Sequence, residues 1–155
     1  MTGDRGRETG ELQYLMTEID SKYILINNSE RGTKMVSRYK FQKLDVYRLA
    51  MLYVEEVYSV ANRFPSTERF NLTSLFIRAA TSIPLNIAEG STGQSDTEQS
   101  RYLTIAIRSY LETIACIDLV EQRDYLDHET LDQFRQCGHN LFVKLVAFRN
   151  RLSER

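Results

Sequence analysis

Apolar residues recur at helical spacing in four stretches of this chain, separated by polar, turn-forming segments. In the first stretch Val46, Leu49, Ala50, Tyr53, Val57, Val60, Ala61 and Phe64 share a stripe, which predicts a helix from about Leu44 to Arg63, stopped by Pro65. In the second, Leu72, Leu75, Phe76, Ala79, Ala80, Ile83, Ile87 and Ala88 keep the same three-four spacing straight through Pro84. A proline there removes the donor that would bond the Ala80 carbonyl. The expected result is a kinked helix held together by packing, with Thr81 or Ser82 capping the freed oxygen. Asn71 is the predicted N-cap, and Phe70 is placed to staple onto Leu75 across it.

A polar turn, Ser91 to Ser95, leads into the third stretch, which a Ser95-x-x-Glu98 capping box opens and which runs to about Arg123. Its apolar surface is broad. Leu103, Ile105, Ala106, Ile107, Tyr110, Leu111, Ile114, Ile117, Leu119 and Val120 cover more than one stripe, so this helix is expected to face two neighbours in a bundle or another subunit. Asp127 caps the fourth, whose stripe is Leu131, Phe134, Gly138, Leu141, Phe142, Leu145, Phe148 and Leu152. Four such helices joined by short turns predict an all-α, up-and-down antiparallel four-helix bundle over residues 36–155. Residues 1–35 are glycine-rich and charged, with one short apolar run from Tyr23 to Ile26, and read as a weakly structured N-terminal extension. Met35 is an alternative natural start. If the extension belongs to the protein, that apolar run could dock on a neighbour as a strand or a helical turn.

The order of residues in the second and third stretches resembles the bacterial four-helix bundle proteins known as 23S ribosomal RNA intervening-sequence proteins. The resemblance covers roughly residues 41–152 and rests on a set of marks rather than one. These are Phe41, Leu44 and Val46; Phe64-Pro65; Leu72 followed by Arg78-Ala79-Ala80 and Ser82-Ile83; and Asn86-Ile87-Ala88-Glu89-Gly90. Tyr102-Leu103, Ile105-Ala106, Ser109 and Glu112 continue them. The resemblance implies a homopentamer, five bundles around a central channel. It also implies kinship with the accessory proteins of diversity-generating retroelements, which bind nucleic acid and a reverse transcriptase. This chain departs from the family pattern where charge is concerned. Leu75 stands where the family tends to have Gln, Ile77 where it has a second basic residue, and Arg108 where it has glycine; the turn around Gly93-Gln94 lacks the usual basic residues.

Charge and composition narrow the function from another side. Twenty basic and 21 acidic residues leave a net charge of -1, which predicts no strong sequence-independent hold on phosphate, so any nucleic-acid surface must come from local clustering. Arg101 and Arg108 are seven apart and share a helix face, and Arg78 can join them from the second helix to form a row for RNA or DNA. Glu98 and Glu112 oppose that reading. The simpler reading of Asn86, Glu89 and Glu112, with Arg78 and Arg108, is a buried polar network whose intrahelical and interhelical pairs fix register.

Chemistry is sparse. No Glu-x-x-His pair, Cys-x-x-Cys or His-Glu-x-x-His is present, and Gly90 and Gly93 lack the lysine and preceding strand of a phosphate loop. Cys137 and His139 lie two apart and so on different helix faces, and both histidines read as structural or exposed. Cys116 and Cys137 sit in apolar helical contexts and read as free thiols. These features predict no metal, no cofactor and no enzyme activity. No stretch has the length of a membrane span, so the expected protein is soluble and cytoplasmic with no membrane partner. The expected role is scaffolding or nucleic-acid binding by a homo-oligomer. The alternative is a protein-binding adaptor, such as a reverse-transcriptase accessory subunit without its own grip on nucleic acid.

Overall fold

The computed structural model describes residues 38–93 and 95–154. The expected extension over residues 1–35, including Tyr23 to Ile26, lies outside them. After a short 3-10 turn at Lys40–Lys43, the described residues form α1 (Asp45–Ala61), α2 (Leu72–Gly90), α3 (Asp96–Gln122), α4 (His128–Cys137) and α5 (His139–Ser153), with a second 3-10 turn at Ser66–Glu68. Neighbouring pairs run α1 with α2, α2 with α3, α3 with α5 and α5 with α1, so α4 and α5 together make the fourth limb of an all-helical four-helix bundle.

The predicted stripes account for most of the interior. Ala50, Val57, Phe76, Ala80, Ile83, Ile117, Val120, Leu131 and Leu145 are fully buried. One chain of aromatic rings ties the limbs together. Phe64 after α1 stacks on Phe76 of α2 at 5.4 Å, Phe76 meets Phe134 of α4 at 5.4 Å, and Phe134 meets Tyr53 of α1 at 5.4 Å. Tyr53 then reaches Tyr110 of α3 at 5.3 Å, and Tyr110 reaches Phe142 of α5 at 5.3 Å. Beside these rings the Tyr53 hydroxyl and Thr113 Oγ1 are 2.6 Å apart, and Thr113 Oγ1 donates to the Tyr110 carbonyl, so the polar atoms are satisfied inside the core. Burial pushes the Tyr53 phenol well above its ordinary range and the Tyr110 phenol up to about 12.

Several local expectations are corrected by the packing. The fourth limb is not one helix: it breaks at Gly138, where a Cβ would meet Tyr53 Cε2 at 2.6 Å and Tyr110 Cε2 at 2.7 Å. α2 does run unbroken through Pro84, which is buried, but the Thr81 hydroxyl donates to the Ile77 and Arg78 carbonyls rather than capping Ala80. Asn71 occupies the N-cap position of α2 without a side-chain cap bond. The carboxylate of Glu68 takes that role instead, accepting from the Leu72 amide, from Asn71 Nδ2 and from the Tyr125 hydroxyl. Those bonds, Tyr125 foremost, hold the Glu68 carboxyl below the usual carboxylate range. Phe70 does not staple onto Leu75; it is 90% exposed, with the Arg69 guanidinium over its ring at 5.5 Å.

The N-caps at Ser95 and Asp127 form, although at Ser95 only the serine half of the expected capping box is present. Ser95 Oγ accepts from the Glu98 amide at 3.1 Å, and Asp127 Oδ1 accepts from the Thr130 amide at 2.8 Å. Between α2 and α3, Gly93 takes φ +92, a conformation side chains other than glycine rarely adopt. Neither cysteine is in a disulfide, Cys116 being buried and Cys137 half-buried, and burial followed by the nearby Glu112 charge pushes the Cys116 thiol up to about 11.

Candidate functional site

The pair α2 and α3 packs closely because small residues stand between the helices. Ser109 Oγ donates to Ser82 Oγ at 2.9 Å, and Asn86 Nδ2 donates to both the Ser82 carbonyl at 2.7 Å and its hydroxyl at 2.9 Å. At the turn end a Cβ on Gly90 would lie 2.8 Å from Tyr102 Cβ, so only hydrogen fits there without a shift. These contacts fix an antiparallel register in which Ser82 is level with Ser109 and Gly90 with Tyr102.

Outward from that seam, α2 carries Leu75, Arg78, Ser82, Leu85 and Glu89 at alternating steps of three and four, which places them on one stripe. α3 carries Arg101, Ile105, Arg108, Glu112, Ala115 and Leu119 in the same rhythm. Leu75, Leu85 and Leu119 are exposed at 42%, 68% and 49%, so three large apolar side chains stand in solvent among the charges. Leu75 was expected in the core stripe and is not there. On α3 the breadth of apolar surface divides: Leu103, Ala106, Ile107, Tyr110, Ile117 and Val120 are buried, while Leu111 and Leu119 are left outside at 49% each.

Arg78, Arg101 and Arg108 are all exposed, and no ion pair or side-chain hydrogen bond among the described residues engages them. The register sets their order along the bundle. Counting helical rise, Arg78 lies about 7 Å along the axis from the level of Arg108, and Arg101 about 10 Å farther on. They form a spaced row, not a cluster. Glu89 is level with Arg101 and Glu112 level with Arg78, each on the neighbouring helix.

Of the expected polar network, only Asn86 lies partly inside the structure. Glu89 and Glu112 are exposed, and the hydrogen bonds run Asn86 to Ser82 to Ser109 instead. The two serines were not predicted to be members, although a polar residue recurring on an otherwise apolar seam was the available signal. Ion pairing concentrates elsewhere, where Arg135 contacts Asp118 at 2.9 Å, Asp132 at 3.6 Å and also Glu121, and Arg63 contacts Asp127 at 3.1 Å. Arg135 holds the Glu121 carboxyl below its usual range. His128 Nδ1 lies 3.1 Å from Glu121 at the surface, and His139 is exposed. Among the described residues no group of three or more histidines, cysteines and carboxylates is arranged to hold a metal ion, and no helix is long and apolar enough to cross a membrane.

Comparison with known proteins now adds to this geometry. The family model of the 23S rRNA-intervening sequence protein matches residues 42–146. The chain belongs to this family. A solved structure with a similar fold is that of a protein of unknown function from the S23 ribosomal protein family of Bacteroides thetaiotaomicron. It is 19% identical, with a TM-score of 0.61, and the match covers 66% of this chain and 95% of that one. No curated protein matches this chain. The matched residues 42–146 include all of α2 and α3.

Proposed function

We propose that this protein is a non-enzymatic homo-oligomer, a ring of five bundles, that binds nucleic acid along the outer face of α2 and α3. The observation that carries the reading is the row of Arg78, Arg101 and Arg108, exposed and without ion pairs among the described residues. Arginines engaged with carboxylates would have to exchange those partners for phosphate. These three need not, so their charge is free for a polyanion at the cost only of ordering the side chains. The opposing carboxylates Glu89 and Glu112 keep the field modest, which suits binding that is strong only at low salt. RNA is the first partner to test, since both the family and the similar structure carry ribosomal names. Leu111, exposed at 49% on α3 outside the arginine stripe, supplies an apolar contact for association of copies, whereas Leu75, Leu85 and Leu119 lie within the nucleic-acid face.

The triple variant Arg78→Gln, Arg101→Gln, Arg108→Gln tests the proposal in fluorescence anisotropy with labelled RNA. The expected result is a loss of tenfold or more at low salt and a salt slope shallower by about two to three, as for the removal of three phosphate contacts. Unchanged affinity and slope would remove the row from the function. The alternative, a protein-binding adaptor, draws on the same leucines, and a stable protein complex insensitive to salt with no RNA uptake would favour it.

A further inference from the structure

Phe70 is the most exposed large apolar side chain among the described residues, at 90%, and it is not on a loose loop. The Glu68 carboxylate joins the Leu72 amide, Asn71 Nδ2 and the Tyr125 hydroxyl of the α3-to-α4 connection, which fastens the segment on either side of the ring. The Arg69 guanidinium lies over the ring at 5.5 Å, beside an aromatic surface that solvent otherwise covers. A phenyl group on an anchored stretch of backbone, with an arginine over one face and solvent on the other, offers a free face on which a flat partner can stack.

Its position gives that partner a direction. Phe70 stands two residues before Leu72, the first residue of α2, which lies about 9 Å along the axis from Arg78 by helical rise, and the arginine row continues from there to Arg101 at the far end. Phe70, Arg78, Arg108 and Arg101 thus succeed one another over about 30 Å, room for at most about nine nucleotides at the stacked spacing of 3.4 Å. Cations spaced along the bundle, with an exposed aromatic ring beyond one end of the series, suit a single strand: phosphates follow the arginines while an unpaired base takes the ring. In a duplex the bases are already stacked on one another and offer the ring no free face.

Resting on the nucleic-acid reading above, we infer that Phe70, flanked by Arg69, is a base-stacking platform that makes the bound species single-stranded. The test uses the full chain and four labelled probes, a 12-nucleotide single strand and a 12-base-pair duplex, each in RNA and DNA, with anisotropy read across a salt series. Phe70→Ala is expected to weaken single-strand binding about 5- to 100-fold with the salt slope unchanged, because stacking is lost and no phosphate contact is. Phe70→Tyr is expected to restore it, and duplex binding, weaker in the wild type, is expected not to respond. Since the ring is in solvent, both variants should keep the wild-type melting temperature, which circular dichroism checks. If Phe70→Ala binds the single strand as the wild type does while the arginine triple variant does not, the platform is overturned and the charged row stands. Wild type that binds none of the four probes at low salt overturns both. Loss of a salt-insensitive protein complex in Phe70→Ala, with single-strand binding intact, would make the ring a protein anchor and overturn the platform likewise.

Discussion

Phe76→Ala should cost about 3–5 kcal/mol of stability, against a total of about 5–15 kcal/mol for a domain of ordinary stability. Phe76 is fully buried, and its ring touches Phe64 beyond the end of α1 and Phe134 of α4, so truncation empties the point where three limbs meet. The neighbours cannot collapse into the space cheaply, since Phe134 is itself held against Tyr53 and the Phe64 amide donates back to the Ala61 carbonyl at the end of α1. Urea denaturation followed by circular dichroism reads the effect as a lower midpoint with little change of slope. Phe76→Leu should cost appreciably less, because most of the volume is kept. A midpoint for Phe76→Ala within error of the wild type would mean the aromatic chain does not hold the limbs together.

Gly138→Ala should destabilise by about 2–3 kcal/mol even though alanine is the better helix former by about 1 kcal/mol. The added methyl would lie 2.6 Å from Tyr53 and 2.7 Å from Tyr110, closer than carbon atoms approach. Both rings are buried, at 3% and 5% exposure, and the Tyr53 hydroxyl is bonded to Thr113, so neither can swing aside without breaking packing or that bond. A fall in melting temperature of roughly 10 °C is the expected reading for a domain of this size. A rise would show that helix propensity at the α4–α5 break outweighs the crowding. A double variant, Gly138→Ala with Tyr53→Leu, should recover part of the loss if the clash is its cause.

How far the fold could be read in advance follows from which residues set it. The four apolar stripes and the caps at Ser95 and Asp127 are local patterns of spacing and side-chain chemistry, and apart from Leu75 and the break in the fourth stripe they appear where the spacing placed them. The break at Gly138 was not legible, because its cause is two tyrosines that approach from α1 and α3, far away in sequence. The cap at Leu72 was assigned to Asn71 on residue type, whereas the carboxylate of Glu68 reaches it through a 3-10 turn whose geometry no spacing rule anticipates. Leu75 has the phase of a core residue but belongs to the edge of the seam, where phase alone does not separate buried from half-covered positions.

The candidate site divides in the same way. Helical periodicity gives the shared face of Arg101 and Arg108, seven residues apart, but the position of Arg78 beside them depends on the register between α2 and α3, which Ser82 and Ser109 fix. Glu89 and Glu112 looked like members of a buried network because carboxylates near a helix seam usually need partners, yet both reach solvent, and the seam is satisfied by neutral groups. Phe70 looked like a staple because an aromatic residue before an N-cap commonly is one; the cap made by Glu68 leaves it outside.

The most direct test is light scattering of the purified full chain on a sizing column, run alone and with a mixed single-stranded RNA pool at low and at moderate salt. The account predicts a mass near five subunits at both salts, with RNA carried in the protein peak at low salt and released at moderate salt. A monomer that elutes apart from RNA at low salt would contradict it.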